Sequence, residues 1–216
     1  MLILPYSTAL RLNQIPYVTL TVILLSIMVF FFQLNNYNVI ESAVNQYCVS
    51  IQDNTNTENE YDYMPQNIQY CFSMLFYMHS LKDINDWKEI YLGFNDSDDD
   101  NKELQKFIPA DLKRYQDFLS QGVPANLDVK LMYYPDTLNP FKMLTSTIAH
   151  ADWSHIIFNL IFFLAFTPAL ELLVGNKIKF VAVLVLISFV TGIFYSISSL
   201  INGQFIPTLG LSGVVT

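Results

Sequence analysis

Three long charge-free apolar runs constrain this chain more than any other feature. Ile15–Leu34 is twenty residues without a charged side chain, Phe180–Ile201 is twenty-two, and Ser154–Leu170 is seventeen, continuing past Glu171 to Val174. About 20 helical residues at 1.5 Å rise cross a hydrocarbon core of about 30 Å. Strands would need closure into a barrel and would alternate apolar with polar side chains, which these runs do not. The chain is 52% hydrophobic and 15% aromatic, and it is the clustering of those residues that argues for a bilayer. The pattern predicts an all-α polytopic membrane protein with three complete spanning helices and the start of a fourth after Gly210.

The first run lies near the N-terminus, where a cleaved signal peptide would also lie. It is longer than the usual signal core of roughly 7 to 15 residues and is followed by Phe32-Gln33-Leu34-Asn35-Asn36 rather than a small-x-small cleavage site, so a retained anchor is the expectation. Arg11 precedes this helix, and Lys177 and Lys179 fill the predicted turn Gly175–Lys179 between the second and third. The positive-inside rule puts both on the cytoplasmic side. Residues 1–14 are then a cytoplasmic N-terminus, 15–34 the first spanning helix, 35–139 an inserted acidic exoplasmic subdomain, and 140–216 the membrane core. The stretch between Asn35 and Ser154 holds eighteen of the nineteen acidic residues against eight basic ones, so it is the source of the chain's formal charge of −8. That balance argues against nucleic acid as a partner, since such binding rests on basic patches. The lipid bilayer is the implied partner of the helices, and the subdomain is free to contact a ligand or another protein.

About a hundred residues can bury a modest core. Gln52–Asp62 and Asn95–Asn101 read as polar loops. The second contains Asp98-Asp99-Asp100, but lacks the Gly and terminal Glu of an EF-hand, so it reads as a solvated turn. Pro109–Gln121 is predicted as an amphipathic helix with Pro109 in its first turn, Leu112, Tyr115, Phe118 and Leu119 on one face, and Gly122 as its stop. Ile68–Leu81 is either a buried helix or a surface lying on the bilayer. Cys48 and Cys71 can bridge in an oxidising space, closing a loop worth about 3 kcal/mol, or remain two thiols. Neither has metal-ligand spacing, and no metal or other cofactor is expected.

The second apolar run opens with His150, His155 and Asn159. Residues four apart share a helix face, so His155 and Asn159 project together. His150 would lie about 140° from His155 if helical, which disfavours a shared metal. Read singly, these side chains also suit a plain role, an Asn bonding a neighbouring helix and a His facing the interface. Gly210-Leu211-Ser212-Gly213 supplies a second signal, because Gly210 and Gly213 permit a sharp bend and close approach to the Ser212 hydroxyl. Helix packing by small residues is the plainer reading there, and Ser188, Gly192 and Ser196 do line one face of the third helix. Alternation of the helices brings Asn159 and Ser212 to comparable depth below the outer surface.

These residues resemble the rhomboid family of intramembrane serine proteases. The resemblance rests on His-x4-His-x3-Asn at His150, His155 and Asn159, on Glu171 with Gly175 closing the same helix, on Gly-x-Ser-Gly around Ser212, and on the helix order. It runs from about Asn139 onward, with the first helix added. It implies Ser212 as nucleophile, His155 and Asn159 as donors to the tetrahedral oxyanion, His150 as support of the same polar site, and Glu171 in a structural role near the cytoplasmic end. Phe141-Lys142 stands where the family carries an aromatic-Arg pair. The family's general base is a His on a later helix. No His follows His155 here, so the Ser-His dyad is expected to draw its base from beyond residue 216, and the polypeptide as written to be inactive alone.

The resemblance implies an endopeptidase cleaving single-pass transmembrane proteins near the exoplasmic boundary, in a multi-pass protein of a bacterial inner membrane. Two alternatives belong to other classes. An inactive rhomboid-like protein would bind transmembrane clients without cutting them, and an unrelated receptor or transporter would use His155, Asn159 and Ser212 only for packing. Broken helices or inverted repeats would mark a transporter, and the sequence has neither.

Overall fold

A computed structural model describes residues 15–54, 68–84, 87 and 98–210. Those residues form helices α1 (Tyr17–Asn54), α2 (Ile68–His79), α3 (Asp98–Ser120), α4 (Leu127–Leu131), α5 (Pro140–Ile148), α6 (Trp153–Val174) and α7 (Lys177–Asn202). Among the described residues there is no β-strand, only an isolated antiparallel bridge between Tyr133 and Thr208. The chain divides into two compact units, one of Leu34–Lys130 and one combining Met1–Gln33 with Leu131–Thr216.

Tyr17–Ile51 of α1, α6 and α7 are long and apolar enough to cross a membrane, and the chain is an integral membrane protein. The expected first helix was 15–34; α1 instead continues to Asn54. No Gly or Pro interrupts residues 35–54, and Ile40, Val44, Tyr47 and Cys48 recur at helical spacing and are buried, so packing carries the helix onward.

In the discontinuous unit, α5 and α6 both pack on α7. Ser188, Gly192 and Ser196 are buried along α7, the small-residue face anticipated from sequence. A Cβ at Gly192 would lie 2.7 Å from Met143 Cγ, so α5 rests directly on this face. The turn between α6 and α7 is shorter than the predicted Gly175–Lys179. Gly175 caps α6 at φ 66, and Asn176 caps α7 by accepting from the Lys179 N–H. Helix α5 was not foreseen as a separate element. Asn139 starts it by accepting from the N–H groups of Phe141 and Lys142, with Pro140 at its first position.

The start of α1 is held by α6. Glu171 Oε1 accepts from the Val18 N–H at 2.9 Å, and Oε2 accepts from the Thr19 N–H at 2.8 Å and the Thr19 hydroxyl at 2.7 Å. A carboxylate therefore satisfies two of the donors that every helix N-terminus leaves open, and favours the positive end of its dipole. This is the structural role expected of Glu171. Further along α1, the Phe30 ring meets Trp153 edge-on at 4.9 Å.

The Leu34–Lys130 unit has its own core, built from Ile40, Val44 and Tyr47 of α1, Met74, Leu75 and Met78 of α2, Trp87, and Ile108 and Phe118 of α3. Helix α2 is thus the buried alternative for Ile68–Leu81. Cys48 and Cys71 form a disulfide with a Cα–Cα distance of 5.9 Å, which fastens α1 to α2. His79 is buried, with Nδ1 3.1 Å from the Tyr115 hydroxyl and Nε2 2.9 Å from the Pro124 carbonyl oxygen.

Two expectations for α3 are corrected. The helix begins at Asp98, so Asp98-Asp99-Asp100 is its first turn rather than a loop, and Pro109 lies inside it rather than at its start. Acidic residues suit a helix N-terminus. Pro109 faces solvent, while Ile108 beside it and Phe118 on the opposite side are buried, so packing offsets the lost backbone hydrogen bond. The rest of the predicted loops, 55–62 and 95–97, lies outside the described residues.

Candidate active site

Helix α6 begins with a side-chain cap that aims its first turn. Asp152 accepts from the His155 N–H at 2.8 Å and from the Ser154 hydroxyl at 2.5 Å. The Ser154 hydrogen bond, followed by that of the His155 backbone, holds the Asp152 carboxyl below its ordinary range. His155 and Asn159 follow one turn apart, as their spacing requires. His155 is half-buried. Asn159 is buried, and its Nδ2 donor has no hydrogen-bond partner. A buried amide donor left open is rare in folded proteins, because each costs about 1–3 kcal/mol.

His150 is not helical, so the 140° separation does not apply. It sits in the bend between α5 and α6, and its ring meets that of His155 edge-on at a centroid distance of 5.4 Å. Its backbone is clamped by Gln33 of α1, which donates from Nε2 to the His150 carbonyl and accepts at Oε1 from the His150 N–H, both at 3.1 Å. The ring is 1% exposed, and neither ring nitrogen makes a hydrogen bond of ordinary geometry. Burial first, then the neighbouring His155, pushes the His150 pKa down to about 4, against a weak opposing pull from the Ile148 carbonyl. The imidazole is therefore neutral at physiological pH. Among the described residues, no group of three His, Cys, Asp or Glu side chains could hold a metal ion.

Gly210 closes this group. Its N–H donates to the Ser146 carbonyl at 2.7 Å, and its φ is +113, a region open to glycine. A Cβ built there would lie 2.5 Å from both Cε1 and Nε2 of His155 and 3.1 Å from Asn159 Nδ2. Only a residue without a side chain lets the backbone lie this close to both. Of the site residues expected from sequence, the fold thus brings together His150, His155, Asn159 and Gly210. Ser212 and Gly213 lie outside the described residues. Sequence reasoning missed Gln33, Asp152 and Ser146. Asp152, three residues before His155, carried a readable capping signal, whereas Gln33 and Ser146 act through partners remote in sequence.

Three helices long and apolar enough to cross a membrane, with a buried and partly unsatisfied polar cluster, define an all-helical integral membrane protein. Residues 138–216 match the sequence model of the Rhomboid domain, a likeness confined to this part of the chain. Neither the curated proteins nor the solved structures gave a match.

Proposed function

We propose that the full-length protein is an intramembrane serine endopeptidase in which Ser212 attacks the scissile carbonyl, while His155 and Asn159 donate to the oxyanion that forms. The observation that carries this reading is the open Nδ2 of Asn159 beside the Gly210 backbone, only two residues before Ser212. Two residues of chain reach no further than about 7 Å. A donor buried without a partner is pre-organised for a charge that appears only during reaction, and losing such a donor typically costs about 10² to 10³ in rate. His150, neutral and buried, supports the polar wall behind His155. A general base takes the Ser212 proton and passes it to the departing amine as the C–N bond breaks, and the acyl-enzyme is then hydrolysed by water reaching the site.

The substrates are single-pass membrane proteins, cut near the exoplasmic boundary. The protein resides in a bacterial inner membrane, with its N-terminus cytoplasmic and 35–153 exoplasmic. The test is cleavage of a transmembrane substrate by the full-length protein in liposomes, comparing wild type with Ser212→Ala and Asn159→Ala. Abolished cleavage in the first and a fall of about 10²-fold or more in the second support the reading. Undiminished cleavage by Ser212→Ala overturns it, and a wild type that binds the substrate without cutting it supports an inactive relative instead.

A further inference from the structure

Between the end of α7 and Gly210 runs a loop whose position is fixed at several points. Gly203 ends α7 at φ 65. The Tyr195 hydroxyl donates to the Ile206 carbonyl at 2.7 Å. Tyr133 and Thr208 exchange both main-chain hydrogen bonds, at 3.1 and 3.0 Å, and the Gly210 N–H is held by Ser146. Tyr133 has a second anchor: its hydroxyl lies 2.5 Å from Ser196 Oγ, on the buried face of α7. It is 1% exposed and among the largest fully buried side chains. The same residue therefore bonds the loop through its backbone and α7 through its side chain.

We infer that Tyr133 is a positioning residue, which sets the height at which Gly210 meets His155 and Asn159. The inference rests on the proteolytic reading above. Gly210 already packs where a single added carbon would collide with His155, so the fit tolerates little displacement of the chain beside it. Thr208 is two residues away, and its backbone is paired with Tyr133 through two hydrogen bonds. Removing the phenolic hydroxyl deletes the side-chain link of Tyr133 to α7, so the backbone paired with Thr208 loses one of its anchors. As a positioning residue Tyr133 acts through the loop that carries Gly210, so the expected loss falls on kcat rather than on KM. A misplacement of about 1 Å far from the chemistry can lower a rate by about 10².

The experiment uses the full-length protein in liposomes with a transmembrane substrate, comparing wild type, Tyr133→Phe, Ser196→Ala, their combination, and Ser212→Ala. The readouts are kcat, KM, the labelling rate of Ser212 by a fluorophosphonate probe, and the thermal midpoint. Expected for each single variant is a kcat about 10- to 100-fold lower with KM within about twofold, a labelling rate lower by a similar factor, and a double variant little worse than either single. An unchanged kcat in both singles overturns the inference, as does a lowered thermal midpoint with kcat intact or a raised KM alone. If Tyr133→Phe fails to fold, Ser196→Ala decides from the other side of the pair. Cleavage by Ser212→Ala strikes at the protease reading itself, and is told apart because it does not depend on Tyr133.

Discussion

The backbone of Gly210 lies so near His155 that a Cβ at position 210 would stand 2.5 Å from the imidazole Nε2. Gly210→Ala must therefore push the loop away or rotate His155, and it also forces an L side chain to φ +113. Under the proposed function, cleavage is expected to fall at least about 10²-fold, with membrane insertion intact by protease protection. Wild-type rates in Gly210→Ala would show that this close approach is not needed.

Replacing Glu171 by alanine leaves the Val18 and Thr19 N–H groups without partners in a buried place. A loss of about 3 kcal/mol is expected, with Thr19→Val losing less because the carboxylate keeps its two backbone donors. Thermal unfolding in detergent checks both, and equal losses would argue against the carboxylate as the main holder of α1.

The disulfide closes a loop of 23 residues between Cys48 and Cys71. The double substitution Cys48→Ser, Cys71→Ser should destabilise the Leu34–Lys130 unit by about 3 kcal/mol, and wild type with reductant should do likewise. Hydrogen exchange in α2 reads this directly. Exchange in α6 and α7 serves as the internal reference.

Two buried groups give opposite pH dependence. The folded His150 titrates near 4 against an ordinary 6.5, so its stabilisation is complete above pH 6.5 and is lost as pH falls toward 4. Asp111, 0% exposed, is pushed up to about 6 by burial, against hydrogen bonding from Tyr70 and the charge of Arg114. Its contribution is complete below about pH 3.8 and is lost as pH rises through 6. His150→Gln should flatten the acid loss. Asp111→Asn should raise the thermal midpoint by about 2–4 °C at pH 7.5 and leave it unchanged near pH 4. The reverse pattern in either variant would contradict the burial that drives these shifts.

How much of this was legible in the sequence follows from the range of the interactions. The three apolar runs, the shared face of His155 and Asn159, and the Gly175 cap are set by neighbours within a turn or two, and the structure has them as read. The continuation of α1 to Asn54 was missed because polar asparagines after Leu34 look like a loop, while the packing of Ile40 and Val44 against α2 depends on residues far downstream. Pro109 misled for a related reason: burial of Ile108 and Phe118 outweighed its local preference for a helix start. The Gln33 clamp on His150 joins positions 117 residues apart. The pairing of Tyr133 with Thr208 has no sequence signature at all.

The grip of Glu171 on α1 also has a temporal side. Its partner Thr19 is made 152 residues earlier. At roughly 5 to 20 residues per second, about 8 to 30 s pass after Thr19 is made before the carboxylate that completes this N-terminus exists. For that interval its open N–H groups need water or lipid headgroups at the membrane surface. The depth of α1 in the bilayer is therefore set twice during biogenesis, first by the interface and finally by α6.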